Sequence, residues 1–536
     1  MSSLTLQRNT PNLYRTIRLL TFVSFLIFLL TICLRWIVLA NSKTSLDNHE
    51  PDNLYLPRIK KDVNGRPELA KYIHLDLKGA PPKADKFFES FFIFLEKIQM
   101  GIKGVVIEYE DTLPLDGNLA NITHRLGYTK SNIKLIEESA KKHGIEIIPL
   151  IQTFGHLEWI LKLDEFQTYR DDPKLPTVIS PCINKTYVLL EDLLQQTLDL
   201  HPNSNIIHIG CDEVMLTNTN PFCEGKGMTI SETYIQHIQR IVDIVQKIRP
   251  GIRILIWDDI LRADEFVRNR RLLKQIEGLI EPVSWNYFPT FDDYYKTLVG
   301  WRVYPKYFKT IWAASAFKGG LHRFSITTNT KHHVSNNRQW LHFIESSTFR
   351  QNSFSGIILT GWSRFDHFMP LCDILPTSYP SLLYSLHVLN TDEYLTSDSI
   401  RSCDVLLKSI GKDTQLCDYL PGTSIWTSIS LLRILLTKIE HQLKLLDTIV
   451  PEYNRKHLFV RRVELQSRLN ELKILSKDLT NSKQTINNHL NDLYTKDVIE
   501  EWFDLYLTPI EDRINRTFTQ LALVREKIVW ERRPLT

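Results

Sequence analysis

Short β-rich runs alternate with amphipathic helical stretches from about residue 70 to residue 395, and this alternation limits the fold more than any other feature. In the intervening stretches, such as 131–143 and 230–249, apolar residues recur at helical spacing. Eight strands with helices between them fit a closed barrel better than an open doubly wound sheet. We therefore predict an α/β fold, a (β/α)8 TIM barrel, over residues 67–395. The predicted strands are Tyr72–Leu77, Gly104–Glu108, Glu146–Ile151, Ile206–Gly210, Arg253–Trp257, Glu281–Trp285, Thr310–Ser315 and Gly356–Gly361.

The last part of the chain, residues 396–536, reads as a C-terminal helical region. Strand signals stop at about residue 400, and apolar residues then recur at helical spacing through 428–450, 463–479 and 498–530. No long heptad register holds without interruption, so we predict helices that pack on the barrel or on one another instead of an extended coiled coil. A homodimer that forms through these helices is compatible with this pattern.

The N-terminus carries an apolar run, residues 19–40, that is interrupted by a single charge at Arg35. A helix that spans a bilayer needs about 20 such residues. Arginines precede the run and acids follow it, which places the N-terminus in the cytosol. We therefore predict a cytosolic tail over 1–18, a transmembrane signal-anchor over 19–40 and a stem over 41–66. The chain would be a single-pass type II membrane protein of the Golgi or another part of the secretory pathway, with a lumenal barrel.

A cleaved signal peptide is the competing interpretation of this run, since Val38-Leu39-Ala40 resembles a small-residue cleavage site. The run is longer than the usual signal core, and Arg35 lies close to the cleavage position. These two features favour the anchor.

Charge argues against a nucleic-acid partner, and cysteine spacing argues against a zinc ribbon. The net charge is only +4, and no basic run with interleaved aromatic residues occurs, so nucleic acid is not predicted as a partner. No C-x-x-C pair occurs among the seven cysteines, so a zinc ribbon has no support. In an oxidising lumen the cysteines could form disulfides, with Cys403–Cys417 as the first candidate. Sequons at Asn121, Asn184 and Asn515 agree with that compartment.

Polar side chains gather at or just beyond the carboxyl ends of the predicted strands. In barrel enzymes this face carries the active site. One carboxylate at a strand end is often only a helix cap, but polar groups at this many ends favour a site. These residues are Asp76, Lys78, Glu108, Glu110, His156, Asp212, Glu213, Asp258, Tyr287 and Asp366.

The strongest local signal is the adjacent pair Asp212 and Glu213, which follows the fourth predicted strand. Two carboxylates at a strand end suit glycoside hydrolysis, which needs a proton donor for the leaving oxygen and a stabiliser of positive charge at the anomeric carbon. A neighbouring carboxylate or an apolar wall can keep such a donor protonated. For an isolated Asp-Glu pair, a helix cap beside a solvent-facing glutamate is the simpler interpretation.

Eight segments, in order and at matching spacing over residues 70–390, resemble glycoside hydrolase family 20, and most closely its hexosaminidase D branch. As an ordered set they are far more specific than any one motif. The segments are His74–Pro82, Ile107–Asp111, Gln152–Glu158, His208–Val214, Trp257–Asp259, Trp285–Tyr287, Ala313–Gly319 and Thr360–Trp362.

The resemblance implies an exo-acting β-N-acetylhexosaminidase that removes terminal β-linked GalNAc or GlcNAc from glycans, without cofactor or metal. In this family the sugar's own 2-acetamido group attacks the anomeric carbon. Glu213 would protonate the leaving oxygen and later activate water, and Asp212 would hold the acetamido N–H. Tyr287 would donate to the acetamido oxygen. Expected walls of the acetamido pocket are Trp257, Trp285 and Trp362.

Other implied assignments have a structural alternative. His156 falls where the family has an active-site histidine, and a histidine satisfied in the core is the alternative. Asp76, Glu110 and Asp258 could bind sugar hydroxyls, or act as helix caps and salt-bridge partners. Better-known branches carry an arginine near the first strand for the outer hydroxyls, whereas this chain has Lys78 there.

Two alternative functions come from other classes. A membrane-tethered, non-catalytic sugar-binding barrel would have lost a carboxylate or the acetamido aromatics, and both are present. A metal-dependent hydrolase could use His74, His156, His208 and Asp212, but no H-x-H at a strand end and no H-E-x-x-H occurs. GalNAc and GlcNAc differ only at the 4-hydroxyl, a difference that the sequence does not resolve.

Overall fold

The computed structural model describes residues 69–530 apart from the short stretches 217, 219, 224–226, 264, 267–268, 293–299, 323–324, 347–353 and 398–399. Eight parallel strands close into a barrel, in which each strand pairs with its neighbours in chain order and the last pairs with the first. All eight overlap the predicted strands, so the predicted barrel is confirmed. They are β1 (Ala70–Asp76), β2 (Ile102–Glu108), β3 (Glu146–Leu150), β6 (Ile206–His208), β7 (Arg253–Trp257), β8 (Glu281–Trp285), β9 (Ile311–Lys318) and β10 (Phe354–Gly361). A short antiparallel hairpin that was not predicted, β4 (Arg170–Asp172) with β5 (Leu175–Ile179), follows β3.

Alternation along the strands separates two cores. In β1, Tyr72 belongs to the cluster inside the barrel, whereas Ile73 and Leu75 belong to the cluster under the helices. The same alternation in β2 sends Val106 inward and Val105 outward. Because both faces of a parallel sheet are covered, the strands are nearly continuous apolar runs. Polar exceptions lie at both ends of the strands, with Glu146, Arg253 and Glu281 at amino ends and Asp76 and Glu108 at carboxyl ends.

Helices surround the strands and bury apolar residues against them. In α1, for example, five phenylalanines between positions 87 and 94 are fully buried against the barrel. The helices up to residue 391 are α1 (Ala84–Lys97), α2 (Lys130–Lys142), α3 (Glu158–Leu161), α4 (Asn184–Leu200), α5 (Ile230–Ile248), α6 (Arg270–Lys274), α7 (Gly300–Tyr307), α8 (Thr330–Glu345) and α9 (Tyr379–Thr391).

The register of the strands places the carboxyl ends of neighbouring strands at the same height in the barrel. Asp76 of β1 pairs with Glu108 of β2, and Glu108 pairs with Leu150 of β3. Leu150 in turn pairs with His208 of β6. The residues that follow these strands therefore meet on one rim of the barrel.

The C-terminal region is helical, as predicted. Its two long helices pack against each other, and buried apolar residues in the second recur at spacings of three, four and seven from Leu465 to Leu493. The end of that helix contacts the barrel, where the Lys83 N–H donates to the Leu493 carbonyl at 2.7 Å. The helices are α10 (Cys403–Ser409), α11 (Thr423–Ile449), α12 (Glu452–His457), α13 (Arg462–Leu493), α14 (Lys496–Tyr506) and α15 (Thr508–Glu526).

Two disulfides link described residues. The predicted Cys403–Cys417 bond is confirmed, with the two Cα atoms 5.7 Å apart. The second, Cys182–Cys223, was not predicted, because its partners are 41 residues apart and meet only in the folded barrel.

The predicted tail, signal-anchor and stem, residues 1–66, lie outside the described residues. Within residues 69–530, the described helices include none with the length and apolar character needed to cross a bilayer.

Candidate active site

A cavity of about 350 Å³ opens at the rim formed by the carboxyl ends of the strands. Its size falls within the range of roughly 300–1,000 Å³ that is typical of small-molecule sites. Both acids predicted from the sequence reach it, together with several aromatic side chains. The lining residues are Lys78, Gln152, His156, Asp212, Glu213, Trp285, Asn286, Tyr287, Phe288, Gly320, Leu321, His332, Trp362, Arg364 and Phe365.

The two acids occupy different environments although they are neighbours in sequence. The Asp212 side chain is 11% exposed, and one of its oxygens accepts a hydrogen bond from Gln152 Nε2 at 3.1 Å. The Glu213 side chain is 58% exposed at the mouth of the cavity. Its backbone N–H donates to Asp259 Oδ2 at 2.9 Å, which holds the residue in place. One acid is therefore buried and hydrogen-bonded, and the other is exposed at the mouth of the cavity.

The backbone is strained at His156 and Glu213, which line the cavity, and at Cys211, which is buried beneath it. His156, Cys211 and Glu213 have φ angles of 51°, 71° and 46°, in the left-handed region that non-glycine residues enter at a cost of about 1–2 kcal/mol each. Beside them, a Cβ atom on Gly155 would lie 2.4 Å from the Asp212 carbonyl oxygen, so only glycine permits this close approach. Such strain is concentrated at functional sites.

His156 joins the two acids electrostatically. Its Nε2 lies 3.6 Å from Asp212 Oδ2 and 3.3 Å from Glu213 Oε2. Burial opposes the imidazolium charge, but the two carboxylates outweigh burial and raise the pKa of His156 to about 10. The hydrogen bond from this imidazolium lowers the pKa of Glu213. Burial raises the pKa of Asp212 to about 7, although His156 counteracts part of that effect.

Aromatic rings form one wall of the cavity. Trp285 and Tyr287 stack with their ring centroids 5.3 Å apart, and Trp362 meets Tyr287 edge-on at 6.4 Å. Burial raises the pKa of Tyr287, although hydrogen bonds with Thr360 and Trp362 counteract it. The phenol is therefore a neutral hydrogen-bond donor near pH 7.

Two other residues of the barrel interior support this wall. The Trp257 ring is 1% exposed and lies 6.1 Å from the Trp362 ring. His208 is fully buried 4.3 Å from Trp257, and its Nδ1 accepts the Gly210 N–H at 3.0 Å. Neither residue belongs to the cavity lining, so contact between Trp257 and a ligand stays a prediction.

A buried group of charges lies under the rim beside the cavity. Lys78 Nζ is 3.4 Å from Glu110, 3.6 Å from Asp76 and 3.7 Å from Glu108. Burial opposes the Lys78 charge, but these three carboxylates outweigh it and raise its pKa. Asp76 also accepts the Lys78 and Ser363 backbone N–H groups at 3.0 and 2.7 Å. Asp76 and Glu110 are therefore salt-bridge partners of Lys78, and their contact with sugar hydroxyls stays a prediction.

Asp258 is also a salt-bridge partner and does not belong to the cavity lining, so its contact with a sugar stays a prediction. It is fully buried and forms an ion pair with Arg262 at 3.1 Å. Its neighbour Asp259 is the residue that contacts Glu213. Sequence alone does not tell which of two adjacent aspartates faces the site, because that depends on how the chain leaves β7.

Several lining residues were not predicted. Gln152 lies in the segment Gln152–Glu158, and its position just after β3 was the available signal. Arg364 reaches the cavity from the loop after β10, and no motif marks it. Among the residues that the structure describes, no group of three or more His, Cys, Asp and Glu side chains is arranged to hold a metal ion.

Comparison with known proteins identifies relatives of this chain. The sequence model of glycosyl hydrolase family 20, catalytic domain, matches residues 84–279. Human hexosaminidase D is 30% identical over 477 residues, which cover 85% of this chain and 95% of the relative. Bovine hexosaminidase D is 33% identical over 60% of this chain and 91% of the relative. Among solved structures, the family 20 β-N-acetylhexosaminidase of Streptomyces coelicolor A3(2) aligns with a TM-score of 0.45 at 12% identity, over 66% of this chain and 69% of that chain.

The buried charges predict opposite effects of two neighbouring substitutions on thermal stability. Burial and the nearby carboxylates raise the pKa of Glu110 to about 8 despite Lys78, so between pH 4.5 and 8 the folded state holds a proton that the unfolded state has released. Stability contributed by this group therefore falls as pH rises through that window, and Glu110→Gln removes the fall. We expect the Tm of Glu110→Gln, relative to the unsubstituted protein, to rise between pH 5 and pH 8.5 in calorimetry.

Glu108→Gln is the matched comparison. Burial opposes ionisation of Glu108, but Lys78 and His74 lower the pKa of Glu108 to about 2. The stability that ionised Glu108 contributes is therefore present above the ordinary pKa of a glutamate and is lost as pH falls towards 2. Breaking this buried pair should cost about 3–5 kcal/mol at pH 7. Equal losses of Tm for both variants at every pH would contradict the prediction that Glu110 and Glu108 have opposite effects on stability as pH rises.

Proposed function

The chain belongs to glycosyl hydrolase family 20 and is a β-N-acetylhexosaminidase, and we propose that it is exo-acting and removes terminal β-linked GalNAc or GlcNAc. The observation that carries the proposal is the pair Asp212 and Glu213 beside an aromatic cavity, with one acid buried and bonded and the other open to the mouth. The exposed acid suits a leaving group that extends into solvent.

In the first step, the acetamido oxygen of the bound sugar attacks the anomeric carbon. The bond from that carbon to the leaving oxygen breaks, and the Glu213 proton passes to the leaving oxygen. Asp212 accepts the acetamido N–H and stabilises the positive charge of the resulting oxazolinium ion. The neutral Tyr287 hydroxyl donates to the acetamido oxygen and orients it. Holding the nucleophile in place can supply about 7–11 kcal/mol of the barrier reduction.

In the second step, water replaces the aglycone. The Glu213 carboxylate takes a proton from that water, and the water oxygen attacks the anomeric carbon while the acetamido oxygen departs. Two displacements return the anomeric configuration to β, and Glu213 regains the proton that it donated. The chemistry therefore needs no protein nucleophile.

The hydrogen bond that His156 donates to Glu213 lowers the pKa of Glu213 and favours its ionised form. A bound sugar would lie between the acids and solvent. It would exclude water from Glu213 and compete for the His156 bond, and both effects raise the pKa of a carboxyl. His156, which also faces Asp212, can then hold that second carboxylate in its charged form. Substrate binding thus raises the pKa of Glu213, which then carries the proton that the first step needs.

Glu213→Gln should lower kcat for nitrophenyl β-GalNAc and β-GlcNAc by about 10²–10⁴-fold, since it removes the general acid. The unsubstituted chain should cleave the better of these two sugars and leave nitrophenyl β-glucoside intact, because glucoside has no acetamido nucleophile. Initial rates of nitrophenol release measure both effects. Glu138→Gln, at an exposed helical position, is the matched control and should keep full activity.

Two results would redirect this proposal. Cleavage of the glucoside as fast as the acetamido sugars would exclude the substrate-assisted route and the roles of Asp212 and Tyr287. A folded protein that binds N-acetylhexosamines and cleaves none of the three would be a sugar-binding barrel.

His156→Gln should move the alkaline fall of kcat/KM to higher pH. Activity requires protonated Glu213, so it is lost as pH rises through the pKa of that group. The substitution removes the hydrogen bond that lowers this pKa, and the loss therefore occurs later in a pH titration. His332→Gln is the comparison, since that histidine lines the cavity but bonds the Tyr287 carbonyl at 2.7 Å. An alkaline limb that stays in place, or moves equally in both variants, would contradict the role of His156.

A lumenal, membrane-anchored location is a separate proposal. It is supported by the apolar run over 19–40, by two disulfides and by the exposed asparagines of all three sequons, Asn121, Asn184 and Asn515. The full chain made in animal cells should gain electrophoretic mobility on treatment with peptide N-glycosidase, and the gain should shrink with each Asn→Gln substitution. Absence of any mobility change would argue against lumenal exposure of the barrel.

A further inference from the structure

Three loops on the catalytic rim are bonded to the C-terminal helical region. The loop after β1 carries Lys83, whose N–H donates to the Leu493 carbonyl at the end of α13. The loops after β9 and β10 meet α14, which follows directly. These contacts connect a region with no predicted catalytic residue to the loops that line the cavity.

Arg364 is the centre of this connection. Nε donates to the Lys78 carbonyl at 3.2 Å, and Nη2 donates to the Gly79 carbonyl at 3.3 Å. Nη1 donates to the Met369 carbonyl at 2.9 Å. The two remaining N–H groups bind both oxygens of Glu501, at 2.6 and 2.5 Å. All five donors of this guanidinium are therefore used within the protein.

This donor count assigns Arg364 a role that differs from sugar binding. Although it lines the cavity, it has no N–H left for a ligand. Its partners are instead the backbone of Lys78 and Gly79, on the loop after β1, and Met369, on its own loop. Lys78 itself lines the cavity, and Trp362 precedes Arg364 by two residues. The guanidinium thus fixes the backbone from which two cavity side chains project.

Glu501 and Tyr506 of α14 hold this arrangement from behind. Glu501 is 30% exposed at its side chain and also accepts the Leu371 N–H at 3.1 Å. One turn further on, the Tyr506 hydroxyl lies 2.9 Å from the Leu371 carbonyl and 2.8 Å from the Ser325 carbonyl. Ser325 belongs to the loop after β9, which also carries Gly320 and Leu321 of the cavity. One helix therefore fixes two of the loops around the site.

We propose that Arg364 and Glu501 form a positioning pair through which helix α14 holds the loops that carry Lys78 and Trp362 in the geometry needed for substrate binding. Charge-assisted, bidentate pairs between arginine and carboxylate have fixed geometry and are strong when partly buried. A shift of about 1 Å at a cavity residue can cost up to about 10²-fold in rate. The proposal rests on the proposed function for its kinetic test, but the geometry can be tested without it.

The first measurement compares Glu501→Ala with Glu500→Ala in the full chain. Glu500 is the adjacent residue on the same helix, is 62% exposed and pairs with Lys496 at 3.2 Å, so it is a matched control. For cleavage of the nitrophenyl acetamido sugar, we expect KM to rise about tenfold in Glu501→Ala with a smaller change in kcat. Glu500→Ala should stay within twofold for both constants. Glu501→Gln, which keeps the side-chain volume, serves if the alanine variant does not fold.

The second measurement is hydrogen exchange of the same variants without ligand. Loss of the pair should speed exchange locally, at Lys78–Gly79 and Ser363–Cys372, and leave the barrel strands unchanged. This readout separates the two proposals. Local exchange changes in a chain that cleaves no sugar would leave the positioning pair standing and remove the proposed function.

The third measurement is a double-mutant cycle with Arg364→Lys, which keeps the charge but loses the bidentate fork. If the two residues act as one pair, the effects of Arg364→Lys and Glu501→Ala on KM should not multiply in the double variant. Three results would each overturn the proposal: unchanged KM in Glu501→Ala, independent effects in the cycle, or faster exchange spread over the whole barrel.

Discussion

Closure of the parallel barrel is the constraint on which the rest of this structure depends. Each strand must pair with two neighbours, and β1 completes the ring by pairing with both β2 and β10. Because all strands run in the same direction, the residues that follow them arrive on one rim. Residues from position 78 to position 365 therefore share one cavity, although most are far apart in sequence.

Buried charge is the second constraint, and it explains why so many ionisable groups can lie under that rim. A single buried ion is unfavourable unless partners satisfy it. Lys78 has three carboxylates within 3.7 Å, and His74 adds a contact of 3.2 Å to Glu108. More carboxylates than cations are present, so burial leaves Glu110 with a raised pKa while Glu108 is held ionised. The same competition between burial and a cation sets different pKa values at Asp212 and Glu213.

Helices outside the barrel have a part in the site that their amphipathic pattern does not show. The pattern of α13 and α14 accounts for their packing, through buried leucines and through Trp502, which is fully buried. The polar contacts of α14 are made with the loops after β9 and β10. Loops carry function only where a rigid element fixes them, and here part of that element lies more than 100 residues after the barrel.

The barrel, its eight strands, the helical C-terminal region and the acidic pair could all be predicted from the sequence, because they depend on local periodicity and on motifs that are contiguous in the chain. The sequence also indicated the Cys403–Cys417 disulfide, whose partners are close in sequence. Three contacts could not be predicted from the sequence. Asp259, and not Asp258, contacts Glu213; Arg364 bonds Glu501, 137 residues away; and Cys182 forms a disulfide with Cys223. Each of these depends on how separate loops leave their strands and meet in space, and no local pattern in the chain encodes that meeting.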